Sequence, residues 1–246
     1  MQKSNTIISP QIESIKESLS LYNVSLENDS YEKLTILVKG IISVKIFSDC
    51  SSEEDNYIKE IISNLNQFSI LSFLGFRVAS MVLLRRCLEN VLSSIYYKEH
   101  KIEYIKKELD SDKRNFNKID DLLNYFIEYP YTHFYKNIEI NYITSLITQV
   151  KSKWEESYKK LSKYVHSSST SYLDLHNFLD KIKYDNDKMQ ECIVLYKDVI
   201  TIINTIFIIF FFEKYDLLED EKKIIIRDSI YNDDIKRKII EVFKNI

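Results

Sequence analysis

The pattern of apolar and polar residues is helical along most of this chain. Its clearest example runs from Phe73 to Tyr97, where one arc is apolar when residues are placed at about 100° per position. The residues on this arc are Leu74, Met81, Leu84, Leu88, Val91, Leu92 and Ile95. The pattern predicts one long, buried helix that organises the fold.

Charged residues interrupt this stretch at informative positions. Arg77 falls inside the apolar arc, which predicts a buried or interfacial guanidinium with a carboxylate or backbone-carbonyl partner. Arg85 and Glu89 lie on the rim of the arc and share a face because they are four residues apart. Three residues fall on the far side and are expected to face water: Arg86, Asn90 and Ser93.

A second strong helix is predicted from about Ile140 to Tyr164. Its apolar stripe comprises Ile143, Ile147, Val150, Trp154, Tyr158, Leu161 and Val165. His166 is the last helical residue and turns away from the core face, with Ser162 one turn before it. The hydroxyl-rich run 167–171 then breaks the helix, and another helix is expected from Tyr172 to Ile182.

Weaker patterns complete the helical picture. Ser9 as N-cap and Pro10 at the first helical position predict a helix from Ile8 to Leu21. Ser51 or Ser52, followed by three acidic residues, predicts a helix that runs to about Gln67 and has the option of continuing into the organising helix. The remaining predicted helices are Tyr31 to Phe47 (where the spacing leaves a strand open), Ile102 to Leu109, Asp120 to Ile127, Met189 to Phe212, and one or two short helices within Glu219 to Ile246.

Composition supports an all-α fold. The 246 residues include only two glycines and two prolines, too few for the turns of a sheet protein. The net charge of −3 gives no overall signal for a polyanionic partner. Cys50, Cys87 and Cys192 are far apart and odd in number, so we expect free thiols in a reducing compartment, the cytoplasm. The apolar run 199–212 is too short for a membrane span and predicts a buried central helix.

The residues near the two helix ends suggest a phosphate site. His166 could move protons near neutral pH, and Arg85 could stabilise charge on a phosphoryl oxygen while Glu89 orients it. The start of a helix after the serine run would offer free N–H groups to an anion. The bland alternatives are a histidine that favours the helix dipole and a plain ion pair between Arg85 and Glu89. Asp174-x-His176 gives only weak support for a metal.

Two motifs carry a resemblance to a known family. The arginine-then-LEN sequence at Arg85 to Asn90 and the LS-x-x-VH sequence at Leu161 to His166 resemble the HEPN superfamily, in particular HEPN-type proteins of bacterial phage defence and abortive infection. The resemblance covers roughly Phe73 to Phe212. It implies an antiparallel helical bundle at 67–215, with an N-terminal helical extension at 1–66 and short C-terminal helices at 216–246. It also implies a dimer with the active site at the interface, and metal-independent endoribonuclease activity.

The sequence departs from the usual family signature of an arginine, four to six residues and a histidine. The three positions that would hold the arginine are Lys159, Lys160 and Leu161. Either a lysine substitutes, or Arg85 supplies the guanidinium from the other helix, or the protein is not a nuclease. Lysine lacks the bidentate fork that suits phosphate.

The leading functional hypothesis is therefore an RNA-cleaving toxin or effector of antiviral defence. Its catalytic residues would be Arg85, Glu89 and His166. Its substrate-binding residues would be Lys159, Arg86, Ser162, Ser167 and Ser168. The expected partners are RNA, a second copy of the chain, and an inhibitor or sensor protein, with no metal, cofactor or membrane. The alternative is a non-catalytic HEPN-like module that binds a nucleotide or a partner protein; a membrane-perturbing effector using 199–212 is a third, which its length and charged flanks disfavour.

Overall fold

The computed structural model describes residues 4–22, 24, 28–50, 55–109, 118–129, 140–176 and 181–243. Within these residues the fold is all-α, with eleven helices and no strand. The helices are α1 (Ser4–Ser20), α2 (Asn28–Cys50), α3 (Asn56–Phe73), α4 (Arg77–Glu99), α5 (Lys101–Leu109), α6 (Ile119–Glu128), α7 (Ile140–Val165), α8 (Asn186–Phe210), α9 (Phe212–Asp216), α10 (Asp220–Asp228) and α11 (Asp233–Phe243). The all-α prediction is confirmed, and so is the helix predicted from Tyr31 to Phe47, which is α2.

Helix α8 is the centre of the core. Every residue from Val199 to Ile209 is buried, and α8 packs against α2, α4 and α7. In the described part of the chain it is the one helix long and apolar enough to cross a membrane, and 78% of its most apolar window is buried inside the fold. The prediction of a buried central helix is therefore confirmed.

The organising stretch is interrupted near its start. Helix α3 ends at Phe73, residues 74–76 form a turn, and α4 begins at Arg77, so the single helix predicted from Phe73 is wrong at its first turn. Gly75 makes the turn, with a φ of 87° that other residues rarely adopt. Asp55 caps α3 by accepting from the N–H groups of Tyr57 and Ile58 at 2.9 and 3.1 Å, while Ser51 and Ser52 lie outside the described residues.

Three other predictions are corrected. Helix α1 begins at Ser4 and contains Pro10, so Ser9 is not its N-cap. Ser93, expected to face water, is buried on α4. The helix predicted from Tyr172 is absent: a 3₁₀ turn at Thr170–Tyr172 leads into non-helical residues 173–176, and residues 177–180 lie outside the described part. The proposed boundary between residues 66 and 67 falls inside α3.

Candidate functional site

Helices α4 and α7 run antiparallel and carry most of the candidate residues. The start of α4 faces the end of α7, where the Arg77 guanidinium lies 5.5 Å from the ring centre of Tyr164. Further along, Arg85 meets Tyr158, and the Trp154 indole N–H donates to the Leu88 carbonyl at 3.1 Å. The His166 turn therefore lies at the Arg77 end of α4.

Arg85 is held in a closed triangle of hydrogen bonds. Its Nε donates to Glu89 Oε1 at 3.0 Å, and its Nη2 donates to the Tyr158 hydroxyl at 2.8 Å. The same hydroxyl donates to Glu89 Oε1 at 3.0 Å, and the Tyr158 ring stacks on Trp154 with centroids 4.7 Å apart. The Arg85 side chain keeps 19% of its surface exposed. The expected pairing of Arg85 with Glu89 is confirmed, and the geometry leaves an oriented guanidinium at the surface.

His166 is exposed at the end of α7. Its N–H donates to the Ser162 carbonyl at 3.0 Å and so extends the helical pattern by one residue. Its imidazole makes no hydrogen bond within the described residues, which leaves both ring nitrogens open to a ligand. Ser162 is half-buried, and its hydroxyl donates to the Tyr158 carbonyl at 2.7 Å.

The serines after His166 end the helix instead of starting a new one. Ser167 has a φ of 49°, the left-handed conformation usually filled by glycine at this position. Its N–H donates to the Tyr164 carbonyl at 3.4 Å, and the Ser168 N–H donates to the Lys163 carbonyl at 3.1 Å, which is a Schellman cap. These N–H groups are occupied, and no helix N-terminus follows. The expected anion cradle in this run is therefore wrong.

Arg85 and His166 lie at opposite ends of one polar row. Tyr158, Ser162 and His166 are four residues apart in turn and form a single ridge of α7. The ridge spans about 12 Å at 1.5 Å per residue, so the two cationic groups do not meet on one phosphate within a single chain. Lys159 is exposed on the same helix, whereas Arg86 is exposed on the far side of α4 and pairs with Glu60.

Arg77 lies at the centre of a second, more buried cluster. Its side chain is 11% exposed and donates to the carbonyls of Ser171 and Leu173 and to Glu191 Oε2, each at 3.0 Å. Asp174 lies 3.4 Å from Nε. The prediction of a buried Arg77 with carboxylate and carbonyl partners is confirmed.

The partners of Arg77 were not foreseen. Asp174 Oδ2 accepts from the Val78 N–H at 2.9 Å and thereby caps α4, while the Tyr164 hydroxyl donates to Glu191. These contacts join residues about a hundred positions apart, which spacing alone does not reveal. Asp174 is thus committed to α4, and no group of three or more His, Cys, Asp or Glu side chains in the described ranges could hold a metal ion.

Comparison with protein-family models, curated proteins and solved structures found no match. The functional argument therefore depends on the residues and their geometry.

Proposed function

We propose that this chain is a metal-independent endoribonuclease of HEPN type that acts as a toxin or effector in antiviral defence in the cytoplasm. The observation that carries the proposal is the polar row on α7, which joins an oriented Arg85 at one end to an exposed His166 at the other. The row offers a fixed guanidinium for phosphate and a titratable imidazole open to a substrate, as this chemistry requires.

The reaction needs no metal. The 2′-hydroxyl of RNA attacks its neighbouring phosphorus, the bond to the 5′-oxygen of the next nucleotide breaks, and a 2′,3′-cyclic phosphate forms. His166 moves the proton, either from the attacking hydroxyl or to the leaving oxygen. Arg85 stabilises the charge on the phosphoryl oxygens, and Glu89 with Tyr158 holds its guanidinium in place.

A second copy of the chain completes the site. The row is too long for Arg85 and His166 of one chain to share a phosphate. A two-fold axis that crosses the row near Ser162 would set Arg85 of one chain beside His166 of the other, because the row then runs antiparallel to itself. Such a dimer has two equivalent composite sites, with Lys159, Ser162, Ser167 and Ser168 on the surrounding surface.

Complementation between variants tests this arrangement. Arg85→Ala and His166→Ala should each abolish cleavage of total RNA by the purified protein. A heterodimer of the two variants has one site with both residues intact, so an equal mixture reassembled at random should recover about a quarter of the wild-type rate. A mixture without activity would contradict the composite site, and a wild-type dimer that leaves RNA intact would contradict the nuclease.

One observation favours a second candidate, a non-catalytic module that binds a nucleotide or a partner protein. Arg85 is already bonded to Glu89 and Tyr158, and a lysine stands where the usual signature has arginine. This candidate gains support if wild type and His166→Ala bind RNA equally and neither cleaves it.

A further inference from the structure

A cavity of about 460 Å³ lies between the end of α7 and the first half of α8. Its walls include Lys160 and Lys163 from α7, Tyr172 from the 3₁₀ turn, and Gln190, Glu191 and Val194 from α8. The volume is within the range of small-ligand sites. The residues combine positive charge, an aromatic ring, an amide and an apolar surface in one concavity.

The cavity favours an anion despite Glu191. One carboxylate oxygen of Glu191 accepts from Arg77 and the other accepts from the Tyr164 hydroxyl, so its charge is compensated behind the wall. Lys160 pairs with Glu156 at 2.7 Å, but both side chains are largely exposed, and such a surface pair contributes at most about 1 kcal/mol. A phosphate can therefore displace Glu156 at little cost.

The other walls suit a planar, hydrogen-bonding group. Tyr172 is half-buried, and its ring is fixed edge-on against Tyr164 at 82° with centroids 5.0 Å apart. Val194 is 51% exposed and adds apolar surface. Gln190 is exposed, and its amide offers both a donor and an acceptor. Single-stranded nucleic acids are recognised by aromatic stacking and by hydrogen bonds to base edges.

The cavity is also next to His166. Lys160, Lys163 and His166 are three residues apart in turn and lie on one row of α7, about 4.5 Å per step along the axis. This row is on the α8 side of the helix, whereas the row that leads to Arg85 is on the α4 side. A nucleotide in the cavity would therefore flank a phosphate at His166.

We propose that this cavity binds one nucleotide of single-stranded RNA. The base packs on Tyr172 and Val194 with its edge on the Gln190 amide, and the phosphate contacts Lys163 and Lys160. The cavity thus sets which base stands beside the cleaved bond, and this part of the inference rests on the proposed function.

Binding to a protein that cannot cleave tests the inference. The His166→Ala chain is titrated with a labelled RNA of about eight nucleotides, and AMP, GMP, CMP, UMP and inorganic phosphate are used as competitors. We expect at least one mononucleotide to displace the RNA far better than phosphate. Lys160→Ala/Lys163→Ala should weaken RNA binding at least about tenfold, and Tyr172→Ala at least about fivefold, the loss of one stacked base.

Two further variants keep the result interpretable. Lys106→Ala/Arg237→Ala removes two positive charges from α5 and α11, far from the cavity, and should weaken binding less than about threefold. Gln190→Ala changes an exposed residue, so it should leave the melting temperature unchanged while narrowing the differences among the four mononucleotides. Equal competition by phosphate and mononucleotides, or equal losses in cavity and control variants, would overturn the inference.

The outcomes separate the two proposals. If the wild type fails to cleave RNA but the cavity variants still lose nucleotide binding, the nuclease is wrong and the binding site stands. If the wild type cleaves RNA and the cavity variants bind it normally, the binding site is wrong and the nuclease stands.

Discussion

At the scale of single residues, Arg77 shows how a charge is accommodated near a core. Desolvation of a guanidinium is costly, and it is offset here by two carbonyls and two carboxylates that converge from three segments of chain. The same bonds fix the non-helical residues 170–174 against the first turn of α4. Arg77 is therefore a structural residue that holds together the region next to the proposed site.

Arg77→Met should destabilise the fold by about 2–4 kcal/mol, because Asp174, which is 13% exposed, and Glu191 lose their partner. Urea unfolding followed by circular dichroism measures the loss. Arg86→Met is the matched control: Arg86 and Glu60 are 55% and 36% exposed, so its cost should stay below about 1 kcal/mol. Equal effects of the two substitutions would mean that Arg77 is solvated like Arg86.

The three cysteines should differ in reactivity. Cys87 and Cys192 are buried, and burial raises the pKa of the Cys192 thiol to about 12 and that of Cys87 further above its ordinary value. The thiolate is the nucleophile, so both should resist a disulfide reagent at pH 8. Cys50 is half-buried and should react first, although burial raises its pKa too. We expect one thiol to titrate in the native protein and three in denaturant, with Cys50→Ser removing the native phase.

At the scale of elements, the turn at residues 74–76 decides how α3 and α4 pair. A Cβ on Gly75 would lie 2.2 Å from the Lys183 carbonyl oxygen, because the chain before α8 crosses directly over the turn. Phe73 and Tyr184 stack at the same crossing, with ring centroids 5.9 Å apart. The glycine therefore serves both a left-handed backbone and a close backbone approach.

Gly75→Ala should lower the free energy of unfolding by more than about 1 kcal/mol, since both the φ of 87° and the clash oppose a side chain. Differential scanning fluorimetry and urea titration measure the change. Ala79→Ser, which adds an atom at an exposed position of α4, should change stability by less than about 0.5 kcal/mol. A stable Gly75→Ala protein would contradict the left-handed turn.

Periodicity predicted the long helices but not where the chain leaves them. Leu74 continues the apolar arc of α4, so the pattern runs through the turn, and Gly75 was the available sign of a break. The predicted helix after Tyr172 failed for a different reason: Arg77 and Asp174 hold this segment by tertiary bonds that outweigh its local apolar spacing. Spacing along one helix found Arg85 with Glu89, whereas the hydroxyl of Tyr158, assigned to the core stripe, was found only through the packing of α4 on α7.

At the scale of the whole molecule, tyrosine burial ties stability to alkaline pH. The chain has 18 tyrosines, and burial raises the pKa of a set spread over the fold. The members of this set are Tyr57, Tyr97, Tyr125, Tyr129, Tyr158, Tyr164, Tyr196, Tyr215 and Tyr231. For Tyr125 the pKa rises to about 12.

The sign of the effect follows from linkage. An unfolded tyrosine loses its proton near pH 10, whereas these folded tyrosines keep theirs to higher pH, so the unfolded state binds fewer protons above about pH 10. Stability is therefore fully present below that pH and falls as pH rises toward the folded pKa values. We expect the melting temperature to drop steeply between about pH 10 and 12. Absorbance at 295 nm should show tyrosinate forming at higher pH in the native protein than in urea. Tyr125→Phe removes one such group without removing any cation, so it should make the fall in melting temperature with pH less steep. Coincident native and denatured titrations would contradict the burial of these hydroxyls.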